Sequence, residues 1–337
     1  MLDRTDAFWS RRAWASHTPD IPPSGMPQRL SAFVKRVSFW HQGALSVLSV
    51  LVFLLSTAPL EVQRRIVNDA FKGGDFHVIL LLALAYGGLA IAEGLIKLGM
   101  NIYRGYVAEI AVRSLRRTIH GLVAELGSAA SPEATGIESS MMLAETEPVG
   151  AFVGVYLSEP LLTGGMLVSV FGYMIYLQPL MALVAFVVFS PQLVFVPLMQ
   201  RVINRKVARR ITTLRDVGSS LVATSMQGAS AMEQDARIDT VFGLNMGIFT
   251  VKFTMNFLMN LLHHVGTASV LAVGGWFVIH GQTEVGTVVA FISGLSKIND
   301  PWGDLVNWFR DLWVTTTKYE MIATAVTTLE ATERPLP

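Results

Sequence analysis

Cysteine is missing from all 337 residues, so disulfide bonds, cysteine-ligated metal and thiol catalysis are excluded. Charge is scarce as well. Asp, Glu, Lys and Arg make up 15% of the chain, against about 25% in an ordinary soluble domain. The formal net charge of +1 gives no basic field for a dedicated nucleic-acid binder. No G-x-x-x-x-G-K-[ST] run occurs, so these residues contain no P-loop to cradle nucleotide phosphates. The first 25 residues mix both charges with Pro and Ser and lack the apolar run of a signal peptide. They read as a cytoplasmic tail that rests on the membrane through Phe8, Trp9 and Trp14.

What the chain has in abundance is apolar surface. Hydrophobic residues are 52% of it, and mean hydropathy is +0.47. The run Pro160–Gln200 contains no charge at all. A helix rises 1.5 Å per residue and the hydrocarbon core is about 30 Å thick, so one crossing needs ~20 apolar residues. The run is about twice that length. Leu177-Gln178-Pro179 supplies a polar turn with a proline suited to starting a returning helix.

Other stretches repeat the theme, and the chain reads as an all-α membrane protein with six long transmembrane helices. Residues 1–25 form the tail, and 26–38 read either as an amphipathic helix on the membrane surface, with Arg29, Lys35 and Arg36 on its polar face, or as the cytoplasmic end of the first span's helix. The spans fall at 39–60, 76–102, 150–176, 180–200, 253–279 and 286–308, and 330–337 is a short C-terminal tail. Helical pattern continues well past the second, fourth and sixth spans. Two small, polar breaks, 131–147 and 222–236, separate these extensions. The segments after spans two and four carry four and six Lys or Arg, while the loops after spans three and five carry none. The positive-inside rule then places both termini and the long extensions in the cytoplasm; in a bacterium the membrane would be the inner one.

Polar residues inside apolar spans are the candidates for function, because burying a charge there costs at least ~2.5 kcal/mol. Glu93 and Lys97 are four apart and share a face, which favours a structural ion pair over a substrate contact. Asn256, Asn260, His263 and His264 form a polar stripe that faces a cavity or a partner helix. Two adjacent histidines without further ligands do not make a metal site, and helix–helix hydrogen bonding is the plainer role. Trp302, with Trp308 and Trp313, suits an interfacial belt or a cavity wall. Glu159 sits at the start of the Pro160 run, as a solvated or helix-start residue.

The order of these features resembles the transmembrane domain of an ABC exporter, over roughly residues 25–325. Gly136, with Ser140 four later and Glu145 nine later, matches that family's first coupling segment, although Met141 stands where an Arg is frequent. Gly228 matches the second, with Thr224 in place of the usual acid. Gly281–Phe291, Pro301 and Lys318–Ile322 are similar to the entry, proline and exit of the sixth helix.

The resemblance implies an elbow helix at 26–38 and coupling segments at 131–147 and 222–236 that dock ATP-binding domains through Gly136, Ser140, Glu145 and Gly228. It further implies a homodimer or heterodimer around a central cavity in the bilayer. The sequence ends at Pro337 without L-S-G-G-Q, so ATP is expected on a separate nucleotide-binding subunit, with no cofactor on this chain. Two rivals stay open. One is an ATPase-less scaffold or accessory subunit of a larger membrane complex. The other is an ion-driven transporter using Glu93 or the histidine pair.

Overall fold

The computed structural model describes residues 25–126, 146–224 and 231–333. Everything in it that is regular is helix. In order these are α1 Leu30–Phe71, α2 Phe76–Leu126, α3 Thr146–Val155, α4 Ser158–Leu177, α5 Pro179–Thr224, α6 Ala231–Ile279 and α7 Val285–Glu333. By length and composition, five helical stretches can cross a membrane: Leu30–Phe71, Phe76–Gly121, Thr146–Leu177, Pro179–Leu214 and Asp235–Ile279. α7 falls outside that set, because Lys297, Asp300 and Asp304 interrupt its apolar first half.

Helix α1 is 42 residues long and breaks its regular geometry at Ser38, where φ is −137° and ψ 22°. The polar stretch after the first span, which reads as a loop in sequence, is helical through Phe71. It stops where Gly73 takes a φ of +70° and the Gly74 N–H reaches back to the Asp69 carbonyl at 2.8 Å. Gly281 ends α6 in the same way, with a φ of +69° and Gln282 N–H on the Phe277 carbonyl at 2.8 Å. A left-handed glycine costs nothing there and lets the last carbonyls find donors. Between α4 and α5 only Gln178 is non-helical, and Pro179 opens the return helix.

The stretch 150–176, a single span in sequence, is two helices. Pro160 explains the division. Its ring has no N–H and excludes the carbonyl four residues back, that of Tyr156, so the helix opens at Tyr156–Leu157.

The chain divides into two compact units. The first gathers the described residues of Met1–Ser56, Leu89–Gly165 and Asn307–Pro337. In it, Phe33 lies against Tyr319 with ring centroids 5.1 Å apart, and the Tyr319 hydroxyl donates to the Pro27 carbonyl at 2.5 Å. α3 approaches α2 closely through a Gly150-x-x-x-Gly154 pair. A Cβ at Gly154 would stand 2.5 Å from the Arg104 carbonyl oxygen, and one at Gly150 would overlap the Val112 side chain. Small residues one turn apart bring backbones together where lipid supplies no hydrophobic drive.

The second unit comprises Thr57–Gly88 and Met166–Val306. Its core is Val170 and Met174 of α4, Met181, Ala185 and Phe189 of α5, Val270 and Phe277 of α6, and Phe291, Leu295 and Ile298 of α7. Phe171 meets both Phe186 and Phe189 edge-on, at 5.9 and 5.8 Å, as the reversal at Gln178 requires. Large apolar side chains point outward along α2, among them Leu80, Leu81, Leu84, Ile91 and Leu95. That is the surface lipid calls for.

Candidate functional site

In an apolar medium a polar side chain stays where it has a partner, so the polar clusters inside each unit mark the candidate sites. Hydroxyls need no outside help. Ser46, Thr163 and Thr267 each donate to the carbonyl one turn back, at 2.8–3.0 Å.

The first unit holds its cluster at the α3–α4 break. An unbroken helix would join the Leu157 N–H to the Val153 carbonyl. Here the Gln42 side chain of α1, 3% exposed, stands between them. Its Nε2 donates to the Val153 carbonyl at 2.7 Å and its Oε1 accepts from Leu157 N–H at 3.4 Å. One amide replaces one backbone hydrogen bond. On the next turn Ser49 of α1 donates to the Ser158 carbonyl at 3.0 Å. Arg104 of α2 donates to the Ser158 hydroxyl at 2.8 Å and pairs with Glu159 at 2.7 Å. Glu159 is a helix-start residue, in the first turn of α4, and is also the half-buried partner of an ion pair. Arg104 is 11% exposed in its side chain, and its Nη2 finds no acceptor within the chain.

The second unit has an ionic network at the ends of α1 and α6. The Glu61 carboxylate accepts from Arg64 at 2.8 Å, Arg65 at 2.7 Å and the Tyr173 hydroxyl at 2.7 Å. Those hydrogen bonds, Arg64 foremost, hold the Glu61 pKa down at about 2, against the opposing pull of burial. Glu284, between α6 and α7, accepts from Lys72 at 2.5 Å, from Arg64 at 3.5 Å and from Asn68. Lys72 is the main cause of its lowered pKa. Asn68 also accepts the Gly286 N–H at 2.8 Å. Two carboxylates fasten α1 to α4 and to the α6–α7 turn, and Asn68 adds the start of α7. Neither this network nor the Gln42 bracket was among the residues singled out in sequence. The lone Gln in an apolar span and the Glu-x-x-Arg-Arg run were the available signals.

The residues predicted from sequence are scattered. Gly136, Ser140, Glu145 and Gly228 lie outside the described residues. Glu93 and Lys97 share a face of α2, half-buried and exposed respectively, but no ion pair joins them. Asn256, Asn260 and His264 are exposed on α6, while His263 turns into the unit beside Gln192 and Asn299. Trp302 packs against the core, edge-on to Phe189 at 6.1 Å. Among the described residues, no group of three His, Asp or Glu is placed to hold a metal ion.

Compared with known proteins, residues 43–230 match a family model described as the ABC transporter transmembrane region. No curated protein matches the chain.

Proposed function

The chain belongs to the ABC transporter transmembrane family, which its match covers over more than half the sequence, and on that footing we propose that it is the permease subunit of an ABC-type exporter. It is a multi-pass membrane protein of transporter type. In the finer reading, two such chains, or one and a related partner, enclose a central cavity, and ATPase subunits act in trans. ATP-driven rocking of the two halves opens the cavity to alternate sides through the long helices. Both termini and the segments around Glu145 and Gly228 face the cytoplasm, where the ATPase docks.

The observation that carries this reading is the family match, and two features of the chain support a partner subunit. Glu93 and Lys97 sit unpaired in the apolar part of α2, at a cost of ~2.5 kcal/mol or more each in bare lipid. Asn256, Asn260 and His264 are likewise exposed within their span. Beyond the span, Ile238, Phe242, Met246 and Phe249 present a continuous apolar face on the extension of α6. A second transmembrane subunit would cover all of them.

Purification of the tagged chain from its native membrane tests the proposal. An ATP-binding subunit should co-purify, and the complex should hydrolyse ATP. A complex containing no nucleotide-binding protein overturns the exporter reading and favours a scaffold.

A further inference from the structure

In the second unit, three helices each bring one polar side chain to a common cavity. Gln192 comes from α5, His263 from α6 and Asn299 from α7. They line a cavity of about 20 Å³, just above the roughly 10–15 Å³ that one water molecule needs. The remaining walls are apolar, with Phe189, Leu262 and Leu295 among them.

The hydrogen-bond inventory at this point does not close. Gln192 is 2% exposed, yet its Oε1 has no donor, and neither has Asn299 Oδ1. Two bare carbonyl oxygens on one cavity, with the His263 ring beside them, are a deficit of a particular shape. A group with two O–H donors and an acceptor lone pair fills it. An inorganic cation does not, since hard cations take six or more oxygen ligands and no carboxylate lines the cavity.

We infer that a single water molecule is bound here, donating to Gln192 Oε1 and Asn299 Oδ1 and accepting from the His263 ring. Its position gives it a structural task. Pro191 precedes Gln192, and Pro301 follows Asn299 by two residues, so the helices on both sides lack part of their own hydrogen-bond ladder at this level. The Ser190 hydroxyl covers the Val187 carbonyl that Pro191 leaves open, at 2.9 Å. The water ties the two proline-interrupted helices to α6 without a direct side-chain bond. The joint keeps its polar groups satisfied while the helices shift by fractions of an ångström.

Brief X-ray irradiation of the full chain in lipid nanodiscs splits bound water into hydroxyl radicals, which oxidise the side chains they touch. Mass spectrometry then locates the oxidised residues, and ¹⁸O-labelled bulk water separates bound from exchanging solvent. Oxidation is expected at Phe189, Leu262 or His263 with oxygen from the slowly exchanging pool. It should fall to background in Gln192→Leu/Asn299→Leu, and drop in the milder Asn299→Ser should the double variant fail to fold. A wild type unmodified at all three residues means a dry cavity and overturns the inference. So does equal oxidation in wild type and variants, or label arriving at the bulk rate.

Discussion

Gln42 shows how much one side chain decides in an apolar medium. Its amide accepts from the Leu157 N–H and gives the Val153 carbonyl a donor at 2.7 Å, closer than the Tyr156 N–H at 3.4 Å. Replacing it with Leu leaves the Leu157 N–H unpaired, at a cost of about 1–3 kcal/mol, and takes from Val153 its shorter hydrogen bond. Gln42→Leu should lower the thermal midpoint in detergent markedly, whereas Gln42→Glu, which keeps an acceptor and loses the donor, should fall between. A midpoint unchanged in Gln42→Leu would show that the break needs no bracket. Glu61 makes a pH argument with a definite sign. Its carboxyl is depressed to about 2 from an ordinary 4.5, so its network stabilises the fold above about pH 4.5 and loses that contribution as pH falls towards 2. Thermal scans across that window should show a steeper loss for the wild type than for Glu61→Gln; parallel curves would mean that the network contributes nothing. Neither residue was legible as a site. Sequence shows that Gln42 is polar in an apolar stretch, but the residue it serves is 111 positions away, and only packing reveals that.

Helix contacts were legible where they depend on composition and hidden where they depend on register. The apolar runs and the Gln178-Pro179 turn announced themselves, since length and proline chemistry act locally. The split at Tyr156–Leu157 did not, although Pro160 was in view, because proline is as often a helix start as an interruption. The Gly150-x-x-x-Gly154 contact gives the test at this scale. Gly154→Ala places a methyl against the Arg104 carbonyl at 2.5 Å, and forcing α3 from α2 should cost about 1–3 kcal/mol, by analogy with overpacked cores. Gly164→Ala, with open space around its Cβ position, should be neutral. Equal thermal midpoints for the two variants would rule out the close approach. α7 marks the limit of reading spans from hydropathy. Its first half packs into the core through Phe291, Leu295 and Ile298, yet its charges keep it below the apolarity of the other helices.

For the molecule as a whole, the all-α membrane architecture was readable from span length and charge, because it follows from the bilayer's dimensions, and the family was suggested by a resemblance in the order of its motifs. The polar clusters were not, because they arise where helices distant in sequence meet. Orientation is directly testable, and the lack of cysteine makes the background zero. Gln282→Cys, in the exposed turn before α7, should react with a membrane-impermeant maleimide on intact cells. Lys35→Cys, exposed near the start of α1, should react only after permeabilisation; the opposite pattern would invert the topology. The bracket on the α3–α4 break carries a consequence for biogenesis. A helix pair with an open backbone N–H and a weakly bonded carbonyl is a poor traveller in lipid by itself. α1 emerges from the ribosome first and brings Gln42 into the bilayer ahead of them. The chain order therefore has the clasp waiting before the segment that needs it arrives, and a permutation that moved α1 to the end would leave that segment to insert unsatisfied.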